Sequence, residues 1–414
     1  MRIGVLFSLA LVLGLFFILD WSVIHGLVPF LELFNVGKLG QLVYWVVNIG
    51  LPVLLFFSLY FIGRNSFATA TLGSVFISLF FTKLFFLLGM LFGEIGIWVM
   101  ECFQFLFSEN KNMEIVGNPS LFKSTFAVSV AVIPFAAFLY GIINGKYRYT
   151  VHRHELFFKD LPNAFNGFTI TQISDVHSGG FHNKKKVAKG IQLINEQQSD
   201  LFVFTGDLVN NTAAEIEPFI DLFKKIKSPF GQFSILGNHD YGDYVQWPSQ
   251  AAKSNNMQRL FENHKKIGFK LLLDEHVILE KDGEKIALLG VENWGVGFGK
   301  RGDLNKALSG VDENMFKILL SHDPSHWEHE IKNNPNKIHL TFSGHTHGMQ
   351  MGIEMFGWKW SPSKFRYPRW AGLYEENNRY LYVNRGFGFL GFAGRVGIWP
   401  EVTVVTLRKA QASV

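Results

Sequence analysis

The stretch Phe233, Ser234, Ile235, Leu236, Gly237, Asn238, His239, Asp240 sets an amide, an imidazole and a carboxylate directly after a short apolar run. Such a run reads as a buried strand ending in a tight turn. The three polar groups offer binding partners to a hard cation, a proton or a phosphate. The same local design recurs in the second half of the chain. Ile170 to Ser174 leads into Asp175, Val176 and His177; Leu201 to Thr205 leads into Gly206 and Asp207. Ile318 to Ser321 leads into His322, and Ile338 to Ser343 leads into Gly344, His345, Thr346 and His347. Strand ends that are far apart in sequence thus present metal-type ligands in the same way.

The chain has 414 residues, enough for two or three domains. Aromatic residues make up 15% and the mean hydropathy is +0.16, both high for a soluble protein. The apolar residues concentrate before about residue 145 and the charges after it. A net charge of +5 suits a membrane-facing or phosphate-handling protein. Lys and Arg are dispersed, so no nucleic-acid partner is expected. The single cysteine, Cys102, excludes a disulfide framework or a thiolate metal site within one chain. Metal chemistry must therefore use His, Asp and Asn.

Residues 1–145 read as a multi-pass transmembrane region of about four spans. Ile3 to Leu19 is 17 residues without a charge, the lower limit for crossing the hydrocarbon, and it can extend past Asp20 to Ile24. A signal peptide is the competing reading, against which no small-residue cleavage site follows. Leu39 to Gly63 and Ser124 to Gly145 are uncharged spans, and Asn65 to Gly93 is apolar apart from Lys83, expected to snorkel or pair. Glu94 to Phe107, with Glu94, Glu101 and Ser108 on one helical face, reads as a separate amphipathic helix lying on the surface. Four spans put both ends on one side. Arg2, Arg64, Lys146, Arg148 and Arg153 make that side cytoplasmic, while Lys38, Lys111 and Lys123 argue mildly against it.

Residues 146–167 are polar and aromatic and are expected to be a linker. In residues 168–414 strand candidates at 168–174, 201–206 and 232–236 alternate with helical stretches at Lys184–Gln198 and Ala213–Lys227. Further strand candidates then follow with few helices: Lys270–Leu279, Lys285–Val291, Phe316–Leu320, Ile338–Phe342, Tyr380–Val383 and Val402–Leu407. Two packed sheets flanked by helices fit this α/β order better than one doubly wound sheet.

Asp175 and His177 are two apart, so an extended chain points both to one side. His345 and His347 repeat that spacing between glycines that permit a tight turn. Each element alone has an ordinary reading: a capping Asp, a surface His pair, a helix N-cap at Asp207, a turn His at 322. Together, seven O and N ligands exceed the needs of one ion. Two ions sharing Asp207 as a bridging carboxylate account for the set, as in pairs that clamp the attacking and leaving oxygens of an in-line displacement. Mixed His, Asp and Asn ligation suits Mn, Fe or Zn.

In order and spacing, these blocks resemble the calcineurin-like metallophosphoesterase superfamily, in particular its membrane-attached bacterial branch. The tail Asn384, Arg385, Gly386, Gly388 and Pro400, Glu401 belongs to the same likeness. The resemblance implies a four-layer αββα sandwich over residues 168–408. It implies that Asp175, His177 and His347 bind one metal, that Asn238, His322 and His345 bind the other, and that Asp207 bridges. His239 would stabilise or protonate the leaving group, and Asp240 would orient it. Met349 departs from the pattern, which often has a second glycine there, and bears on the shape of the rim.

The expectation is a cell-membrane phosphoesterase, its catalytic domain cytoplasmic, that cleaves a phosphodiester, phosphomonoester or diphosphate through a two-metal-activated hydroxide. A lipid-linked substrate is one candidate. The alternative is a membrane sensor or transport-associated protein with a metal-binding regulatory domain, for which Lys83 and Glu94 would speak; a structural protein on a dead fold is a third class. The loop Gly295, Gly297, Gly299, Lys300, Arg301 lacks P-loop spacing and reads as a flexible rim. The run Trp358, Lys359, Trp360, Lys364, Arg366, Tyr367, Arg369, Trp370 reads as a lipid-headgroup surface, an anionic-substrate surface or a solvated loop.

Overall fold

The computed structural model describes residues 3–63, 67–107 and 116–410. Arg2, Arg64, Asn65, Ser108 and Lys111, used above to place the membrane region, lie outside them. The chain divides into two compact units, Met1–Ile142 and Ile143–Val414.

The first unit is helical: α1 (Ile3–Leu33), α2 (Gly37–Phe57), α3 (Phe67–Phe107) and α4 (Pro119–Ile143). Four helices of this unit are long and apolar enough to cross a membrane. Helix α3 is continuous over 41 residues. The separate surface helix expected at Glu94–Phe107 is therefore a prolongation of the third span. Glu94 and Glu101 sit in it without breaking it, and Lys123 Nζ of α4 lies 2.5 Å from Glu94 Oε2. Lys83 is paired, the outcome expected for a cation among apolar helices: its Nζ is 2.5 Å from Asp20 Oδ1, and the Tyr44 hydroxyl donates to the same oxygen at 2.7 Å. This ties α1, α2 and α3 together. Lys83→Met should leave Asp20 as an uncompensated charge, costing about 3–5 kcal/mol, and Asp20→Asn with Lys83→Met should recover most of it. Thermal melts of the protein in detergent test this; equal melting temperatures for the single and double variants would refute it.

The second unit holds two six-stranded sheets. The first comprises β1 (Thr150–Phe158), β2 (Thr169–Ile173), β3 (Leu201–Phe204), β4 (Gln232–Ser234), β5 (Lys270–Leu271) and β14 (Glu401–Lys409), in the order β1-β14-β2-β3-β4-β5. The second comprises β6 (Glu275–Lys281), β7 (Glu284–Gly290), β8 (Phe316–Leu320), β9 (Leu340–Ser343), β12 (Gly372–Glu376) and β13 (Arg379–Val383), in the order β12-β13-β9-β8-β7-β6. A small hairpin pairs β10 (Ile353–Met355) with β11 (Trp358–Trp360). Strands β2 to β5 run parallel to one another, as do β7, β8, β9 and β13, while β14, β6 and β12 join them antiparallel.

Side chains alternate across each strand. Ile170, Val203, Phe233 and Ile235 of the first sheet share one buried cluster with Leu288, Ile318, Leu320 and Phe342 of the second. The opposite face of the second sheet, Ala287, Leu289, Leu319 and Leu381, packs on α8 (Leu304–Leu308) and Trp327. The opposite face of the first carries Phe202 and Phe204, buried, whose rings lie tilted against that of Phe269. Helix α5 (Lys184–Glu196), the single turn α6 (Ile220–Phe223) and α7 (Gln250–Ile267) bury apolar positions of their own. In α5 these are Val187, Ile191 and Ile194, spaced four and three apart on one helical face. The architecture is mixed α/β, two sheets with flanking helices, preceded by the apolar helices.

Three expectations change. Residues 146–167, read as a linker, contain β1, which pairs in parallel with β14 from Thr150–Glu401 to Phe158–Lys409. Its charged His, Arg and Glu positions hid it, because it is an edge strand. Lys270–Leu279, read as one strand, is two strands in different sheets, broken by a turn in which Asp274 has φ 56°. The Asp274 carboxylate holds that corner by accepting from the Glu292 and Asp303 amides. The helix expected at Ala213–Lys227 is a 3₁₀ segment containing Pro218, then the short α6.

Candidate active site and metal centre

Nine residues expected from the sequence sit at strand ends, on loops following β2, β3, β4, β8 and β9. Five of them, Asp175, His177, Asp207, His345 and His347, have positive φ between 43° and 70°. Non-glycine residues seldom adopt this conformation, and its concentration here marks a site where the surrounding structure holds strained backbone in place. Two glycines are required by close approach: a Cβ on Gly237 would run into the Asp207 carboxylate, and one on Gly344 into Ser174 and Asp175. Met349, where a second glycine was noted as common, has φ 49° and is half exposed at the rim.

The ligand atoms form two groups, Asp175, His177, His347 and Asp207, His322, His345, each close enough to hold an ion. His347 Nε2 is 3.2 Å from Asp175 Oδ1 and 3.0 Å from His177 Nε2. In the second group His345 Nδ1 lies 3.3 Å from His322 Nε2 and 2.9 Å from Asn238 Oδ1, which brings Asn238 to the same place. Asp207 stands between the groups: its Oδ2 is 3.5 Å from His177 Nε2 and 3.2 Å from His322 Nε2.

The other ring nitrogens set the orientation of each imidazole. His322 Nδ1 faces the Thr205 carbonyl at 2.7 Å, leaving Nε2 for the centre. His345 Nε2 faces the Tyr367 hydroxyl at 2.8 Å and Asp323 Oδ2 at 3.4 Å, leaving Nδ1 for the centre. Arg395, fully buried, donates to His347 Nδ1 at 3.2 Å and to the carbonyls of Gly388 and Gly386. The tail therefore closes over Asp175, and Gly388 donates its amide to the Asp175 carbonyl.

Burial pulls His177 well below the ordinary imidazole range and His345 to about 4, so both are neutral, the ligating form. Burial acts the same way on His322, but the Asp207 charge and hydrogen bond outweigh it and raise it to about 10. Asp175 and Asp207 lie below the usual carboxylate range despite burial, chiefly because of His347 and His322 respectively. Buried imidazole nitrogens that face one another at 3.0 Å, two ionised buried carboxylates and a partnerless buried His177 Nδ1 form a donor set that fits divalent cations.

His239 belongs to neither group. It is partly exposed, its ring lies 5.0 Å from that of His177 and 4.4 Å from that of Tyr244, and its Nδ1 faces the Asn210 carbonyl at 2.8 Å. Asp240, expected to orient the leaving-group histidine, is turned elsewhere. Its carboxylate accepts from the amides of Asp207, Leu208, Val209 and Gly237 and fastens the β3 loop to the β4 loop. Burial, with the Asp207 charge second, pushes its pKa up to about 7. The carbonyl of Asn210 holds the ring instead, and a backbone carbonyl leaves no mark in a sequence.

Asp323, Tyr367, Tyr244 and Arg395 were not among the expected residues. Asp323 follows His322 directly, and Tyr367 lies in the basic aromatic run. The glycine loop at 295–301 is a rim and not a phosphate cradle: Gly295 donates to the Gly299 carbonyl, Lys300 lies over Trp294, Arg301 pairs with Asp243, and Phe298 meets the His345 ring edge-on at 4.6 Å.

Two sheets whose strand ends gather two His/Asp groups around a shared carboxylate define a metal-dependent hydrolase. A family model for the calcineurin-like phosphoesterases matches residues 168–349, and one described as "Probable Calcineurin-like phosphoesterase, transmembrane domain" matches residues 1–146. The chain is 31% identical over 250 residues to an uncharacterized metallophosphoesterase, YkuE, of Bacillus subtilis, covering 60% of this chain and 82% of that protein. It is 28% identical to the UDP-2,3-diacylglucosamine pyrophosphatase LpxG of Chlamydia trachomatis, over 55% of this chain and 81% of that one. To the phosphodiesterase YaeI of Escherichia coli it is also 28% identical, over 62% of this chain and 87% of that one. The chain belongs to the calcineurin-like phosphoesterases. It is a multi-pass membrane metallophosphoesterase, a hydrolase acting on phosphoester bonds.

Proposed function

We propose that the protein cleaves a phosphodiester or diphosphate bond at a dinuclear centre. Asp175, His177 and His347 would hold one divalent ion, Asn238, His322 and His345 the other, and Asp207 both. The observation that carries this reading is Asp207 Oδ2, within 3.5 Å of an imidazole nitrogen from each group. Bound there, two ions of the Mn, Fe or Zn kind would supply Lewis-acid charge to the phosphoryl oxygens and activate the attacking water.

The chain's own residues do the rest. With the Asn210 carbonyl accepting from Nδ1–H, His239 presents Nε2 to the substrate and can give a proton to the leaving oxygen. Asp240 keeps the two loops that carry Asp207 and His239 in register. Tyr367 and Asp323 fix the ring of His345. The relatives named as a UDP-2,3-diacylglucosamine pyrophosphatase and a phosphodiesterase favour a substrate with two esterified or anhydride oxygens, and the membrane unit favours a lipid-linked one. Screening the purified protein, with and without Mn, against an aryl monoester, an aryl diester and a nucleotide-linked lipid diphosphate tests the reading. Metal-independent turnover would overturn it.

The catalytic unit is proposed to lie on the cytoplasmic side, on the strength of Lys146, Arg148 and Arg153 just after α4. A C-terminal reporter should be active only inside the cell, and labelling it from outside intact cells would reverse the topology.

A further inference from the structure

The segment between His347 and Tyr367 leaves the site and returns to it, and its middle forms the β10–β11 hairpin. Pairing sets Ile353 opposite Trp360 and Met355 opposite Trp358, with Glu354 opposite Lys359. The hairpin therefore has an apolar face and a polar face. The polar side chains are bonded to the body of the domain: Glu354, itself exposed, pairs with the buried Arg385 at 2.5 Å, and Lys359 Nζ donates to the Ala371 carbonyl. On the apolar face Ile353, Met355 and Trp358 are exposed and Trp360 is half-buried.

The tip strengthens the case. Phe356 and Gly357 have φ 54° and 80°, the two positive values a type I′ turn needs, for which Asn-Gly is preferred and a bulky first residue is costly. Phe356 is nonetheless 97% exposed, and Phe365, on the return limb, is 79% exposed. The exposed cation Lys364 lies beside Phe365. The basic run seen in the sequence is otherwise spent within the fold. Arg369 pairs with Glu328 and Glu376, and Arg366 lies over Phe298 with a bond to the Val296 carbonyl.

We propose that this hairpin is a bilayer-inserting finger, its apolar face and aromatic tip seated among phospholipid chains and Lys364 at the headgroups. The partner is a bilayer because the chain is itself anchored in one, and because the hairpin's one carboxylate is tied to Arg385, which it shares with the buried Glu401, and so does not stand as a free charge on the apolar face. The same segment ends on Tyr367, which touches His345, so seating the finger brings the rim of the site to the lipid surface. The proposal rests on the membrane anchorage and not on the reaction assigned above.

Its test needs no turnover. In full-length protein with Cys102→Ser, reconstituted in phosphatidylcholine–phosphatidylglycerol vesicles, a bimane label on Phe356→Cys should be quenched by nitroxide lipids and shielded from iodide. A label on Asp282→Cys, at the exposed β6–β7 turn, should behave oppositely. For a label on Phe365→Cys, the inserted-to-free ratio read from lipid quenching should fall by roughly tenfold when Phe356→Asn is added, the low end of what burying one Phe side chain is worth. Asn-Gly suits the turn, so that loss would not reflect a broken hairpin. Iodide quenching at 356 equal to that at 282 would overturn the proposal. So would a disulfide between two copies through position 356, which would assign the face to a second chain.

Discussion

Asp207→Asn is expected to lower activity by about 10³-fold or more, since the Lewis-acid charge it would help hold is worth several kcal/mol and each 1.36 kcal/mol is tenfold. Metal content should fall from near two per chain to one or fewer. The reason is positional: of the carboxylates, Asp207 alone among the described residues faces both imidazole groups, at 3.5 Å and 3.2 Å. The amide keeps an oxygen for the His239 amide, which now donates to Asp207 Oδ1 at 2.8 Å. The loop should therefore survive while the charge is lost. Alanine would remove that acceptor as well and confuse loss of metal with loss of shape. Elemental analysis beside turnover decides the matter, and an Asp207→Asn protein that retains two metals and full rate would rule out a bridging carboxylate.

Much of this site was legible because ligands of a buried centre must follow buried strands. Asp175, Asp207, Asn238, His322, His345 and His347 each come after an apolar run that is now a strand or its direct continuation. The two-sheet order could be read for the same reason, since interior strands are continuous apolar runs. What could not be read depends on partners distant in sequence. Tyr367 reaches His345 from 22 residues away and Arg395 reaches His347 from 48; Arg395 sits in no motif, and nothing in the basic aromatic run that holds Tyr367 ties it to His345. Edge strand β1 looked like a linker because its exposed face is charged. The corner at Asp274 was hidden in one apolar stretch, because an αL turn residue there need not be glycine. The resemblance implied that Asp240 orients His239, whereas its carboxylate takes backbone amides from two loops, contacts that no motif displays.

That placement separates two neighbours experimentally. His239→Gln should lower turnover by about 10² to 10⁴, the usual worth of general acid catalysis, while metal content stays near that of the unaltered protein. His239 lies in neither ligand group, and its bond to Asp207 is made by its amide, which glutamine retains. The loss should shrink for substrates whose leaving group needs no proton, so an activated aryl ester should be hurt less than an alkyl ester. Asp240→Ala should behave differently, leaving up to four buried amides without an acceptor at about 1–3 kcal/mol for each left unsatisfied. It should lower the melting temperature and metal content together and spare no substrate. If His239→Gln instead lost metal, or cut the rates for both esters equally, the proton at Nε2 would have no part in the reaction. The ring would then be serving the cations directly.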